Sequence, residues 1–237
     1  MPTETDTAIL FEDAHFIAVD KPAGLLVHPS HIDARNSDTL VTRLASQTGL
    51  RCAPVHRLDR ATSGVMVLAK HTEAASRLSA VWPTGVRKQY HAVVRGHMTT
   101  AIELAHPVRD RDTGARRDAT THFTPLAHAE IDEHVDRYPT TRYSLVQAEP
   151  MTGRRHQIRQ HLKHLNHPIL GDTSYGKSVH NRYIAERFNA HRLLLMAKQL
   201  SFCHPFNGDL VCLEASHDAA FQRVLDGLPW CPTETAG

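Results

Sequence analysis

Much of what defines other protein classes is missing from these 237 residues. No apolar run approaches the roughly 18 residues that a membrane span needs. The opening Met1–Asp6 is polar and acidic, without the basic start and apolar stretch of a signal peptide. Both absences lead us to expect a soluble, cytoplasmic protein with no membrane association. The four cysteines, Cys52, Cys203, Cys212 and Cys231, form no C-x-x-C pair. That argues against a zinc ribbon, a thioredoxin-like centre or a secreted disulfide framework, and the cysteines read as free thiols. Excess charge is lacking too. Twenty-seven basic residues face 25 acidic ones, for a net +2. A wholesale polycation is excluded, so any nucleic-acid site must come from local charge. There is no internal repeat, low-complexity tract or clear linker. We expect one domain over 1–237.

Histidine, by contrast, is abundant, with 19 residues. The densest patch is His156, His161, His164 and His167. It offers only i+3 and i+5 spacings rather than the i, i+4 pair of a helical zinc site. No acid follows until Asp172. The expectation is no metal; surface histidines or neutral donors near RNA account for the count.

Residues 9–19 read as strand, acidic turn, strand, with a third short strand at Leu25–Val27. Asn36 to Asp38 offer caps for a helix carrying Leu40, Val41 and Leu44 and stopped by Gly49. Gly64–Ala69 is a continuous apolar run, as in a strand buried on both faces. A helix from Thr72 to about Val81 should end near Pro83. Strands follow at roughly 88–95, 120–126, 141–149, 193–203 and 210–214, with helices near 154–165 and 217–226. Residues 105–119 and 174–190 read as mobile loops, the first highly charged. Helices and strands do not alternate regularly, so a doubly wound parallel sheet is disfavoured. The expected fold is α+β: a large mixed, mostly antiparallel sheet flanked by a few helices.

Charge and shape converge in three places. In His56-Arg57-Leu58-Asp59-Arg60, followed by Thr62-Ser63-Gly64, a carboxylate sits between two arginines that favour its ionised form. Local chemistry alone leaves it either a structural turn with flanking ion pairs or a reactive acid. In Thr152–Leu165, Thr152 is a candidate N-cap. Helical spacing puts Ile158, Leu162 and Leu165 on one face and Arg155, Arg159 and Lys163 on the adjoining one. Arg159 lies on the border, where its stem can pack while its guanidinium meets a carboxylate or phosphate. The alternative is a solvated basic face. In Arg87–Arg95, Tyr90 stands in a basic strand, where it is either core or a platform for a nucleobase.

These segments together resemble the RluA-type family of pseudouridine synthases, over about Ile9 to Glu214. His56-Arg57-Leu58-Asp59 with Thr62-Ser63-Gly64 matches the family's H-R-L-D-x-x-T-S-G at every fixed position. Lys21-Pro22-Ala23-Gly24 and Val27-His28-Pro29 support it, as do Lys88-Gln89-Tyr90, Thr152-Gly153-Arg154 with His156-Gln157-Ile158-Arg159, and His167–Asp172. The stretch Tyr138–Val146 and the helix end His161–Leu165 are similar to the tRNA pseudouridine synthase C subgroup, which acts on uridine 65 in the T-arm stem. One departure is Met196, where the family commonly has histidine. Relatives often carry a small N-terminal S4-type domain, and none is expected here.

The resemblance implies the pseudouridine synthase catalytic-domain fold and a cofactor-free isomerisation. The bond from uracil N1 to ribose C1′ breaks, the base turns, and C5 rejoins the sugar. Asp59 would be the catalytic carboxylate, Arg159 its partner and Tyr90 the residue lying against the base. The target must be extruded from its stack. Arg57 would fill the vacated space, and Arg154, Arg155 and Lys163 would grip phosphates. The expected partner is RNA, with transfer RNA first, and no obligate protein partner is evident. Ribosomal RNA, a non-catalytic RNA-binding role and a histidine-based metal hydrolase are the alternatives.

Overall fold

Seven consecutive residues without exposure, Ser63–Ala69, mark a strand covered on both faces, as the apolar run predicts. Around it the chain builds an α+β fold with five helices among the described residues. The structure is a computed structural model and describes residues 7–28 and 38–233. The elements begin with β1 (Ala8–Glu12), β2 (Phe16–Lys21), α1 (Leu40–Thr48), β3 (Ala53–Pro54), β4 (Ser63–Ala69) and α2 (Thr72–Gly85). Next come β5 (Val86–Arg95), β6 (Ile102–Ala105), β7 (Val108–Arg109), β8 (Arg116–Arg117), β9 (Thr120–Ile131) and β10 (Thr141–Pro150). The last are α3 (Gln157–His164), α4 (Ser178–Phe188), β11 (Leu195–Cys203), β12 (Leu210–Glu214), α5 (Ala219–Gly227) and β13 (Trp230–Pro232).

Two compact units emerge. The first comprises Met1–Lys88 and Ala197–Ser216. In it the strands run in the order β1-β2-β4-β11, with β3 on β4 and β12 on β11. The β1–β2, β2–β4, β3–β4 and β11–β12 pairs are antiparallel. Gly64 makes the central packing possible. Its φ is +109°, and a Cβ there would lie 2.1 Å from the Ala197 carbonyl oxygen. Only glycine tolerates both demands.

The second unit comprises Gln89–Met196 and His217–Gly237. Its strand order is β5-β10-β9-β13, with β6 on β9, all antiparallel. β7 and β8 form a separate hairpin. α4 packs on α5, and β10 supplies the buried Tyr143 beneath α4.

Several expectations need correction. Leu25–Val27 is not a strand; it contributes one bridge, Leu26 to Thr39. Its carbonyls serve instead as acceptors for the first N–H groups of α1, Leu40 and Val41. Thr39, not Asp38, caps α1, in a reciprocal box with Thr42. The other expected caps, Asn36 and Ser37, lie outside the described residues. α2 continues through Pro83 to Gly85, because a proline in the last turn interrupts little of the ladder. β9 runs past 126 to Ile131: Val146 opposes Pro125 and Leu145 opposes Ala127, so Leu126 is a bulge that accommodates the proline. Residues 174–190 hold α4, whose buried His180, Ile184 and Phe188 recur every four residues. The charged 105–119 segment carries the β7–β8 hairpin.

Candidate active site

Asp59 follows β3 and precedes β4, in a turn closed by Thr62 N–H donating to the Asp59 carbonyl at 3.0 Å. Leu58 is buried, Asp59 half-buried, and Arg57 and Arg60 exposed. The turn is held from below by Lys21, the last residue of β2 and wholly buried. Its ammonium donates to the carbonyls of Pro22 (2.8 Å), Leu25 (2.9 Å) and Arg60 (3.2 Å). Gly24, at φ +85°, donates its N–H to the Arg60 carbonyl and accepts from Arg60 Nε at 2.9 Å. The Lys21–Gly24 motif is thus the anchor of the Asp59 turn.

His56 fixes the other side. Val67 N–H in β4 donates to His56 Nε2 at 2.9 Å, which places the imidazole proton on Nδ1. The ring stacks on Trp82 with centroids 4.5 Å apart. Burial, followed by the nearby Lys88 charge, pushes its pKa down to about 3, so it stays neutral. Burial also lowers the pKa of Lys88.

In the second unit Tyr90 is half-buried on β5, opposite Ala148 of β10. Arg159 is the third residue of α3 and only 6% exposed, so it is not part of a solvated basic face. Its Nε and Nη2 donate to the Asp172 carboxylate at 2.7 and 2.9 Å. Its guanidinium carbon also lies 5.2 Å from the Tyr175 ring centroid. Asp172 Oδ1 accepts further bonds from Ser174 N (2.8 Å) and Tyr175 N (3.0 Å). Burial opposes ionisation of Asp172, but Arg159 and these backbone donors outweigh it and hold its pKa below the usual carboxylate value.

Thr152 is not the N-cap of α3. That position is His156, in the left-handed region at φ +56°, with no side-chain cap. The Gln157 side chain instead ties the turn before the helix together. Its Oε1 accepts from Thr152 Oγ1 and Arg154 N, and its Nε2 donates to Thr120 O and Thr121 Oγ1. Those bonds bind the turn to β9. Gly171 permits the approach of a neighbouring strand-like segment, since a Cβ there would lie 1.8 Å from the Arg192 carbonyl oxygen.

The expected phosphate grips are exposed: Arg154 and Arg155 before α3, Lys163 near its end. The β7–β8 hairpin is docked on this helix. Arg109 N donates to Gln160 Oε1 at 2.9 Å, and Gln160 Nε2 donates to Arg109 O at 3.1 Å. Arg155 pairs with Asp112, and Arg154 Nε donates to Asp118 O. Between the hairpin and the turn before α3 lies a cavity of about 290 Å³ lined by Val108, Asp110, Arg117, Gly153, Arg154 and Arg155.

The histidine patch turns to separate partners. Buried His161 accepts from Thr121 Oγ1 at Nδ1 and donates from Nε2 to His106 O. His164 stacks on His106, and His167 donates from Nδ1 to Arg95 O. Asp172, Gln157 and the role of Lys21 escaped the local sequence reading. Lys21 and Asp172 stand in recognised motifs, but no local signal gives either a partner.

The comparisons with known proteins concern almost the whole chain. A family model described as RNA pseudouridylate synthase matches residues 15–164. A tRNA pseudouridine synthase C of Vibrio vulnificus (strain CMCP6) is 39% identical over 236 residues, covering 95% of this chain and 96% of the relative. That of Salmonella typhi is 41% identical over 233 residues, covering 94% and 90%. The fold is similar to that of human RNA Pseudouridylate Synthase Domain Containing 4, with TM-score 0.72, 24% identity and 94% of each chain covered. Human RNA Pseudouridylate Synthase Domain Containing 1 gives 0.71 at 23% identity, covering 98% of this chain and 91% of the other.

Proposed function

The chain belongs to the RNA pseudouridylate synthase family, and we propose that it isomerises uridine 65 in the T-arm stem of transfer RNA. The observation that carries this reading is its 39–41% identity to tRNA pseudouridine synthase C proteins over 94–95% of its length. The reading includes a cytoplasmic location, in keeping with an unmodified tRNA substrate.

Asp59 supplies the reacting carboxylate. Its turn is fixed by a buried ammonium on one side and a neutral imidazole on the other, a support that suits a group requiring close positioning. Arg159 serves as the cation for that carboxylate. The bidentate contact to Asp172 supports the role, because it sets the guanidinium plane before substrate arrives. Tyr90 stacks on the target base, and Arg57 fills the space left by the extruded nucleotide. Arg154, Arg155 and Lys163 meet phosphates. Arg117, across the cavity from Arg154 and Arg155, joins them as a residue the sequence did not single out.

The reaction balances without a cofactor. The N1–C1′ bond is exchanged for a C5–C1′ bond, the C5 proton leaves, and N1 gains one. Tritium release from C5-labelled uridine therefore reports turnover. With unmodified tRNA the protein should release one equivalent, and Asp59→Asn should release none while still binding RNA. Release from ribosomal RNA but not tRNA would overturn the substrate assignment. Full turnover by Asp59→Asn would remove Asp59 from the chemistry.

A further inference from the structure

A second cavity, also of about 290 Å³, lies where β5 ends and β10 begins. Its lining includes Arg95, Asp136, Tyr138, Pro139, Arg142 and His180. The volume is near the lower end of small-molecule sites, roughly 300 Å³.

Most charges around it are already matched. Arg142 is paired with Glu130 through Nε (3.0 Å) and Nη2 (3.3 Å). Asp136 is paired with Lys177. His180 is buried, with Nδ1 3.2 Å from the Tyr143 hydroxyl. Its Nε2 finds no hydrogen-bond partner among the described residues and stands 3.9 Å from Asp136. Arg95 differs from the other cations. It is half-buried, and its guanidinium has neither an ion pair nor a hydrogen-bond acceptor among the described residues. The cavity therefore carries one uncompensated positive charge with directional donors. At its rim Tyr138 is 58% exposed, an apolar ring beside Pro139.

An unmatched guanidinium selects phosphate or carboxylate. An exposed aromatic lining the same cavity selects a flat π-face. A nucleotide offers both at once. We propose that this cavity binds a nucleotide other than the target uridine, with its phosphate on Arg95 and its base on Tyr138. Arg95 and Tyr90 are five residues apart on β5, about 16 Å at 3.3 Å per residue, and their odd spacing places them on opposite faces. One nucleotide cannot serve both positions. The inference rests on the cavity alone and does not require the tRNA assignment.

The test is calorimetric titration of the full chain with adenosine 5′-monophosphate, adenosine and inorganic phosphate. Adenine is chosen because a uridine-selective catalytic site does not read it. We expect saturable one-to-one binding of the nucleotide, weakened at least tenfold by Arg95→Gln and partly restored by Arg95→Lys. Tyr138→Leu, at an exposed position that folding does not need, should weaken the nucleotide severalfold and leave inorganic phosphate unchanged. Asp59→Asn and Tyr90→Leu should leave nucleotide binding intact, and Arg95→Gln should leave basal tritium release on a short stem substrate intact. Displacement of the nucleotide by tRNA identifies an RNA nucleotide as the occupant; failure to displace it identifies a free one. No saturable binding, or binding indifferent to both Arg95→Gln and Tyr138→Leu, overturns the proposal. So does loss of binding in Tyr90→Leu.

Discussion

Arg159 and Asp172 form a buried, two-point ion pair, 2.7 and 2.9 Å long, that ties α3 to the loop after Gly171. Thirteen residues separate the partners, and neither is more than a few per cent exposed. Removing one partner of a buried pair typically costs about 3–5 kcal/mol, because the other charge is left uncompensated. Asp172→Asn keeps the shape and removes the charge. It should lower the thermal midpoint and cut kcat by ~10²-fold, as a misplaced positioning group does, with RNA affinity nearly unchanged. Unaltered kcat in a variant that has lost stability would restrict Asp172 to a structural role.

Lys21 is expected to act through the Asp59 turn. Lys21→Met retains the stem and removes the donor shared by three carbonyls. The Arg60 carbonyl keeps the Gly24 N–H, so Pro22 and Leu25 are the carbonyls exposed to the loss, and each left unsatisfied costs about 1–3 kcal/mol. The variant should be less stable and slower in tritium release, with RNA binding preserved. Wild-type kcat would show that the turn holds its shape without the ammonium.

Arg155→Ala should weaken RNA binding and flatten its salt dependence. Each phosphate contact contributes a slope of about −0.9 in log K against log salt on B-DNA and about −0.7 on single strands. Because Arg155 is paired with Asp112, Asp112→Ala serves as the control for loosening the hairpin alone. An unchanged slope in Arg155→Ala would place Arg155 away from phosphate.

Acid should destabilise the fold well above the carboxylate range. Burial pushes His56 down to about 3 and His180 to about 4, from an ordinary 6.5; His180 is depressed further by Arg95 and Lys177 and raised by Asp136. Burial lowers His161 as well. A depressed pKa means that the unfolded chain binds protons first. Stability is therefore complete above pH 6.5 and falls as pH drops through 6 and 5. Urea unfolding at pH 7.5, 6 and 5 should show the decline, and His180→Gln should reduce its slope by up to one proton. Equal slopes in the two proteins would contradict the neutral state assigned to His180.

Local pattern made some of this fold legible and left the rest hidden. β4 was readable because the unbroken apolar run Gly64–Ala69 fits a doubly covered strand. α4 was not, because Lys177 offers no side-chain cap and the buried face includes a histidine that reads as polar. β9 was cut short because a proline signals an end, whereas a bulge absorbs it. Asp59, Tyr90 and Arg159 were singled out through spaced motifs. The Arg159–Asp172 pair was not, because a long-range contact leaves no trace in the spacing of either residue.

The docking of the β7–β8 hairpin on α3 has a thermodynamic consequence. Gln160 holds Arg109 through both its oxygen and its nitrogen, and Asp112 holds Arg155. The entropy of arranging the Arg109 backbone and the Arg155 side chain is spent when the chain folds, not when a ligand arrives. On the proposed reading, a polyanion approaching this side meets a partly preformed surface and keeps more of its contact energy as affinity.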